Sequence, residues 1–179
     1  MALLGGYEDS DMRLSCKILM VLLVGLTARV GVASSRAVAL IKSVEGFSAT
    51  TYRDAVGIRA IGYGFTSEWL VSREQMTKAE ASLELSRICR QIICQLRREL
   101  YGQRLTEGEE AAVVSFIYNV GWANFKASTM CRLLKKGKRG KVVADEFTRW
   151  VYVTKNGRKV VCDGLKTRRA MERQRFMGC

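Results

Sequence analysis

Two carboxylates lie nine positions apart, Glu45 just before and Asp54 within a stretch over 50–65 rich in Thr, Tyr, Val, Ile and Gly. A carboxyl at a helix end beside apolar Val44 and Phe47 can be kept protonated by desolvation, whereas one on a hairpin among polar groups stays ionised. That division of labour suits glycoside hydrolysis, in which one acid protonates the leaving oxygen and the other carboxylate attacks, or activates water, from the opposite face. The 179-residue chain contains no histidine. This excludes Ser-His-Asp and Cys-His catalysis, an imidazole base and His-ligated zinc, leaving carboxylates, hydroxyls, thiols and lysine. Spacing alone proves little, because most acidic side chains are solvated surface groups.

The elements that must hold these groups can be read from the pattern around them. Glu45 follows a short amphipathic helical stretch over residues 35–44, which Gly46 can close. Asp54 falls in a predicted β-hairpin over 50–65, the one convincing strand region. Thr77 with Glu80, and Thr106 with Glu109, form capping-box patterns that open helices running to about residue 100 and over 111–120. Further helical patterns cover 127–134, 142–152 and 165–176, and Gly102, Gly121, residues 135–141 and Asn156-Gly157 mark loops. The expectation is an α+β protein with a small hairpin lobe and a larger helical lobe, without repeats or internal linkers.

The first 33 residues read as a targeting segment ahead of a domain over 34–179. From Met12 onward the order is Arg13 and Lys17, an apolar run over 18–26, then small residues up to a cleavage point after Ala33. Glu8, Asp9 and Asp11 do not fit the positive end of such a signal, so Met12 is a second candidate start. The apolar run is well short of the roughly 20 residues that span a bilayer, and Arg29 follows it. Removing residues 1–33 takes away three acids and three bases and leaves the net charge at +13. It also leaves Cys89, Cys94, Cys131, Cys162 and Cys179, an odd set in which at least one thiol stays unpaired. Cys89 and Cys94 lie about 140° apart on a helix and do not bridge. No Cys-x-x-Cys or other metal spacing exists, so no zinc site is expected, and glycoside hydrolysis by two carboxylates calls for no cofactor.

A charge of +13 points to a polyanionic partner without choosing among nucleic acid, anionic lipid and an acidic cell-wall polymer. The basic stretch over 135–141 is broken by glycines and lacks interleaved aromatics, so a solvated loop is the blander account and no specific nucleic-acid partner is expected.

The letters around the two carboxylates carry more. Glu45-Gly46-Phe47, Tyr52-Arg53-Asp54-Ala55-Val56-Gly57, Ile61-Gly62-Tyr63-Gly64 and Thr66 resemble the catalytic stretch of phage-type lysozymes, the endolysins of glycoside hydrolase family 24. Leu105-Thr106, the run Ser115-Phe116-Ile117-Tyr118-Asn119-Val120-Gly121, Arg149-Trp150 and Gly164-Leu165 with Arg168-Arg169 and Glu172-Arg173 are similar to the same family, in the same order. The resemblance implies a two-lobed lysozyme-like fold with a cleft for peptidoglycan. It implies cleavage of the β-1,4 bond between N-acetylmuramic acid and N-acetylglucosamine, by a monomer exported to the periplasm or cell envelope. It makes Glu45 the general acid, Asp54 the carboxylate acting with water, and Asn119 a contact for sugar N-acetyl groups, although an Asn before Gly121 is also an ordinary helix terminus. Trp150 reads as core. Arg168 and Arg169 either place a cation near Glu45 or belong to a basic surface helix.

The pattern departs at one place. The family's third catalytic residue is a Thr six positions after the Asp, and here that position is Ala60; the family's His is Phe65. Two expectations follow: a working enzyme in which Asp54 orients water alone, with reduced activity, or a fold kept for binding to cell wall or membrane with hydrolysis weakened. Cys16 adds a third point: some endolysins that this chain resembles keep their N-terminal segment as a releasable membrane anchor controlled by thiol exchange, while Arg29 and the short apolar run fit ordinary cleavage equally well.

Overall fold

The computed structural model describes residues 35–54, 57–155 and 157–178, so the targeting segment, Met12, Cys16 and Cys179 lie outside the described residues. Helix α1 covers residues 35–45. The hairpin β1 (Ser48–Arg53) and β2 (Arg59–Gly62) follows, paired antiparallel with an irregular register between Ser48 and Tyr52. A single helical turn α2 (Glu68–Val71) leads into the 22-residue α3 (Lys78–Glu99). The larger lobe comprises α4 (Glu107–Val120), α5 (Trp122–Ala127), α6 (Thr129–Lys135), α7 (Lys141–Phe147), a second hairpin β3 (Tyr152–Lys155) and β4 (Arg158–Val161), and α8 (Asp163–Phe176).

Both capping boxes form. Thr77 accepts from the Glu80 backbone N–H at 3.2 Å while Glu80 Oε2 accepts from the Thr77 backbone N–H at 2.8 Å, and the same exchange joins Thr106 and Glu109. The Thr77 backbone N–H, then its hydroxyl, then Arg73 hold the Glu80 carboxyl down at about 2. A lowered value in the folded chain means that the contribution is fully present above the ordinary 4.5 and is lost as pH falls towards 2. The thermal midpoints of wild type and Glu80→Gln are therefore expected to differ at pH 7 and to converge between pH 4.5 and 2, as scanning calorimetry would show.

One stripe of α3 (Ala81, Leu85, Cys89, Ile93, Leu96) is buried, the spacing of a half-exposed helix about 33 Å long. By contrast α4 is buried without a break from Glu109 to Ile117 and forms the centre of the larger lobe, packed on α8 and α3. Phe116 lies edge-on to both Phe147 (5.5 Å) and Trp150 (5.3 Å), and Phe147 meets Phe176 at 5.7 Å. Arg97 grips Glu110 through two bonds of 2.7 and 2.8 Å, tying α3 to α4. Burial of the Cys89 thiol pushes it up to about 12, which keeps it protonated and inert, and Cys89, Cys94, Cys131 and Cys162 are all free.

Two sequence expectations are corrected here. The helical pattern over 142–152 stops at Phe147, and Tyr152 opens a strand instead, so the first hairpin is not the sole strand region. β-Branched residues on both sides of the Asn-Gly sequence, a strong hairpin signal, outweigh the helical spacing: Lys155 pairs with Arg158, and Gly157 takes a positive φ of 74°. The helix expected over 127–134 forms as α6, starting two residues later, and a short helix that the sequence pattern did not show precedes it: α5 begins directly after Gly121, and Ser128 ends it and caps α6 by accepting from the Cys131 backbone N–H at 3.1 Å.

Candidate active site

Glu45 is the last residue of α1 and keeps 22% of its side chain exposed. Its Oε1 accepts from Arg168 Nη1 on α8, 123 residues away in the chain. Its Oε2 lies 3.4 Å from where a Cβ would stand on Gly64, a residue with φ of 83°. Any side chain at 64 would therefore be strained and would press on the carboxylate, which explains why the turn after β2 carries glycine there. Tyr118 on α4 donates its hydroxyl to the Tyr63 carbonyl at 2.7 Å, fixing this turn against the larger lobe.

Asp54 stands just beyond β1. Its backbone N–H donates to the Ile58 carbonyl at 2.9 Å and its Oδ1 accepts from the Ile58 backbone N–H at 2.8 Å, so the strand crossing aims the carboxylate. Tyr52, two residues earlier on the same face of the strand, pairs across the hairpin with Ala60. The Tyr52 hydroxyl is raised above its ordinary value by burial first and then by the charges of Glu45 and Asp54. Both carboxylates thus act on one phenol. Ala60 is 2% exposed, and Phe65 is buried against Gly62 and Met76, filling the small-lobe core with carbon.

The larger lobe supplies the rest. Asn119, at the end of α4, accepts through Oδ1 from Arg169 Nη2, which sets its amide orientation. It borders a groove of about 760 Å³ together with Asn124, Trp150, Tyr152 and Lys159. Trp150 is core on its Phe116 side and groove on the other. A smaller hollow of about 300 Å³ runs beside Gly64, Thr66, Tyr118 and Trp122.

The choice left open for Arg168 and Arg169 is decided: they are 4% and 1% exposed, not a surface helix, and Arg168 faces Glu45. Two further residues, Ser115 and Glu172, complete a buried network with them. Sequence reasoning passed over both as site residues, although Glu172 stands four and three positions after the two arginines, the spacing at which helical side chains meet. The basic loop is knitted into the fold, with Lys135 on Glu99, Lys141 on Asp145, and Arg139 donating to the carbonyls of Leu134, Lys138 and Arg104. Among the described residues no helix is long and apolar enough to cross a membrane.

Known proteins share this fold. Residues 42–172 match the family model for phage lysozyme. The SAR-endolysin of Enterobacteria phage PA-2 is 32% identical over 135 residues, which cover 73% of this chain and 76% of that protein. Among solved structures, the muramidase domain of SpmX from Asticaccaulis excentricus is 30% identical with a TM-score of 0.68, covering 79% of this chain and 94% of that one. The endolysin from Escherichia coli O157:H7 phage FAHEc1 is 28% identical with a TM-score of 0.67, over 79% and 90% of the two chains. With a matching family model over most of its length and the same lysozyme-like α+β architecture, the chain belongs to the phage lysozyme family.

Proposed function

We propose that Glu45 and Asp54 are the acid and the carboxylate with which this peptidoglycan hydrolase cleaves the β-1,4 bond between N-acetylmuramic acid and N-acetylglucosamine. The observation that carries the assignment is the asymmetry at Glu45: Arg168 holds one oxygen, and the other faces the bare backbone of Gly64, where a sugar oxygen can approach. Asp54, fixed by the Ile58 amide, is the group that acts with water on the opposite face of the scissile bond. Asn119, its carbonyl oxygen engaged by Arg169, presents its amide N–H to substrate N-acetyl groups. The reaction degrades the bacterial cell wall for host lysis. Residues 1–33 carry the domain to the cell envelope and act as a releasable anchor; the SAR-endolysin relatives support this reading.

Purified cell walls incubated with the protein are expected to lose turbidity and release fragments with N-acetylmuramic acid at the reducing end, read by mass spectrometry. Fragments ending in N-acetylglucosamine, or cut only in the peptide stems, would overturn the bond assignment.

A further inference from the structure

An acid that faces an arginine has a problem of charge. Arg168 alone would favour the ionised form of Glu45, which cannot donate a proton. Arg169, the next residue, adds a second buried cation that also acts on Glu45. The fully buried Glu172 touches both arginines.

The geometry is specific. Glu172 Oε1 accepts from Arg168 Nε at 3.0 Å and from the Ser115 hydroxyl at 2.7 Å, while its Oε2 accepts from Arg169 Nη1. Arg168 Nη2 donates to the Ser115 carbonyl at 3.0 Å. Two edges of the Arg168 guanidinium are therefore held from below by α4 and α8, and only the Nη1 edge is presented to Glu45. Arg169 is held as firmly: Nε donates to the Trp150 carbonyl at 3.2 Å, Nη2 donates to Asn119, and the planar group lies 4.8 Å over the Phe116 ring.

We infer that Glu172 is a positioning residue for hydrolysis: it aims Arg168 at Glu45, offsets one of the two positive charges that Glu45 meets, and through Arg169 couples the acid to the groove residue Asn119. The inference rests on the reading of Glu45 as the acid. With Glu172 ionised, the cluster of two arginines and one carboxylate carries a single net positive charge; protonating Glu45 then strands one charge rather than two.

Other groups around the cluster leave this balance intact. Tyr118 from α4 and Tyr52 from β1 face Glu45, but burial and the Glu45 charge push both hydroxyls up, so they stay neutral through the working pH range. Asp54 faces the same phenol from the end of β1. Helix α7, also packed on α8, turns Asp145 to Arg173 at 2.9 Å rather than to Glu172.

The test is the pH profile of kcat/KM on soluble, uncrosslinked peptidoglycan strands. In Glu172→Gln the alkaline limb is expected to move to lower pH by at least one unit, a tenfold change in proton affinity, with an unchanged circular dichroism spectrum. Glu172→Asp keeps the charge while shortening the reach, and is expected to lower kcat with the limb in place. A Gln variant that loses rate without moving the limb overturns the inference. If Gln does not fold, the Asp variant decides, a displaced limb overturning the proposal and a stationary limb with reduced kcat supporting it; failure of both to fold would assign Glu172 a structural role only. Wild-type turnover in Glu45→Gln would defeat the acid assignment and this inference with it, whereas an inactive Glu45→Gln beside an unmoved Glu172→Gln limb defeats this inference alone.

Discussion

Glu45→Gln is expected to lower turnover of purified cell walls by about 10²–10⁴-fold, the usual worth of a positioned general acid. The substitution preserves size and keeps an oxygen for Arg168 Nη1, so the α1 terminus and the Gly64 turn retain their packing. What disappears, if Glu45 is the acid as proposed, is the oxygen beside Gly64 as a source of the proton. Arg168 is almost fully buried and then faces a neutral amide, so some loss of thermal stability accompanies the loss of rate. Reducing-end release, measured beside a melting curve, separates the two effects. A folded variant that keeps a tenth or more of the wild-type rate would show that another group delivers the proton.

Ala60→Thr is expected to act in the opposite direction, raising turnover about tenfold to a hundredfold. Position 60 lies across the hairpin from Tyr52, and Tyr52 and Asp54 share one face of β1. A hydroxyl at 60 therefore joins the face on which Asp54 is proposed to act and can help hold the attacking water, and a well-oriented group of that kind changes rates by orders of magnitude. Thr also suits a strand. The cost is packing: Ala60 is 2% exposed, and two added heavy atoms at a filled site are expected to lower stability by about 1–3 kcal/mol. Cell-wall turbidity and urea unfolding of the same preparation would show both changes. An unchanged rate would mean that position 60 has no part in handling water in this chain and that Asp54 is supported by other groups.

The elements that hold the two carboxylates were legible in the sequence because their signals are local. A helix closed by Gly46, a strand pattern around Asp54 and two capping boxes each depend on neighbours within a few residues, and all of them form. Local signals misled where two were superposed. The helical spacing over 142–152 coexisted with an Asn-Gly turn flanked by β-branched residues, and pairing of Tyr152 with Val161 drew the last part of that stretch into a strand. At Gly121 and Ser128 the chain turned without the polar linker that a loop usually shows, so two short helices, α5 and α6, read as one and a gap.

By itself the sequence determined which side chains are available for chemistry: two carboxylates, no imidazole, and alanine at position 60. The tertiary structure decided what surrounds them. In the sequence, Asp163–Phe176 is a highly charged helix of the kind that belongs in water. Folding buries Arg168, Arg169 and Glu172 in it, because Glu45, Ser115 and Asn119 arrive from elements 50 or more residues away to satisfy them. Whether a charge can leave water depends on the partners waiting for it, and those partners are brought together only by the packing of α1, α4 and α8.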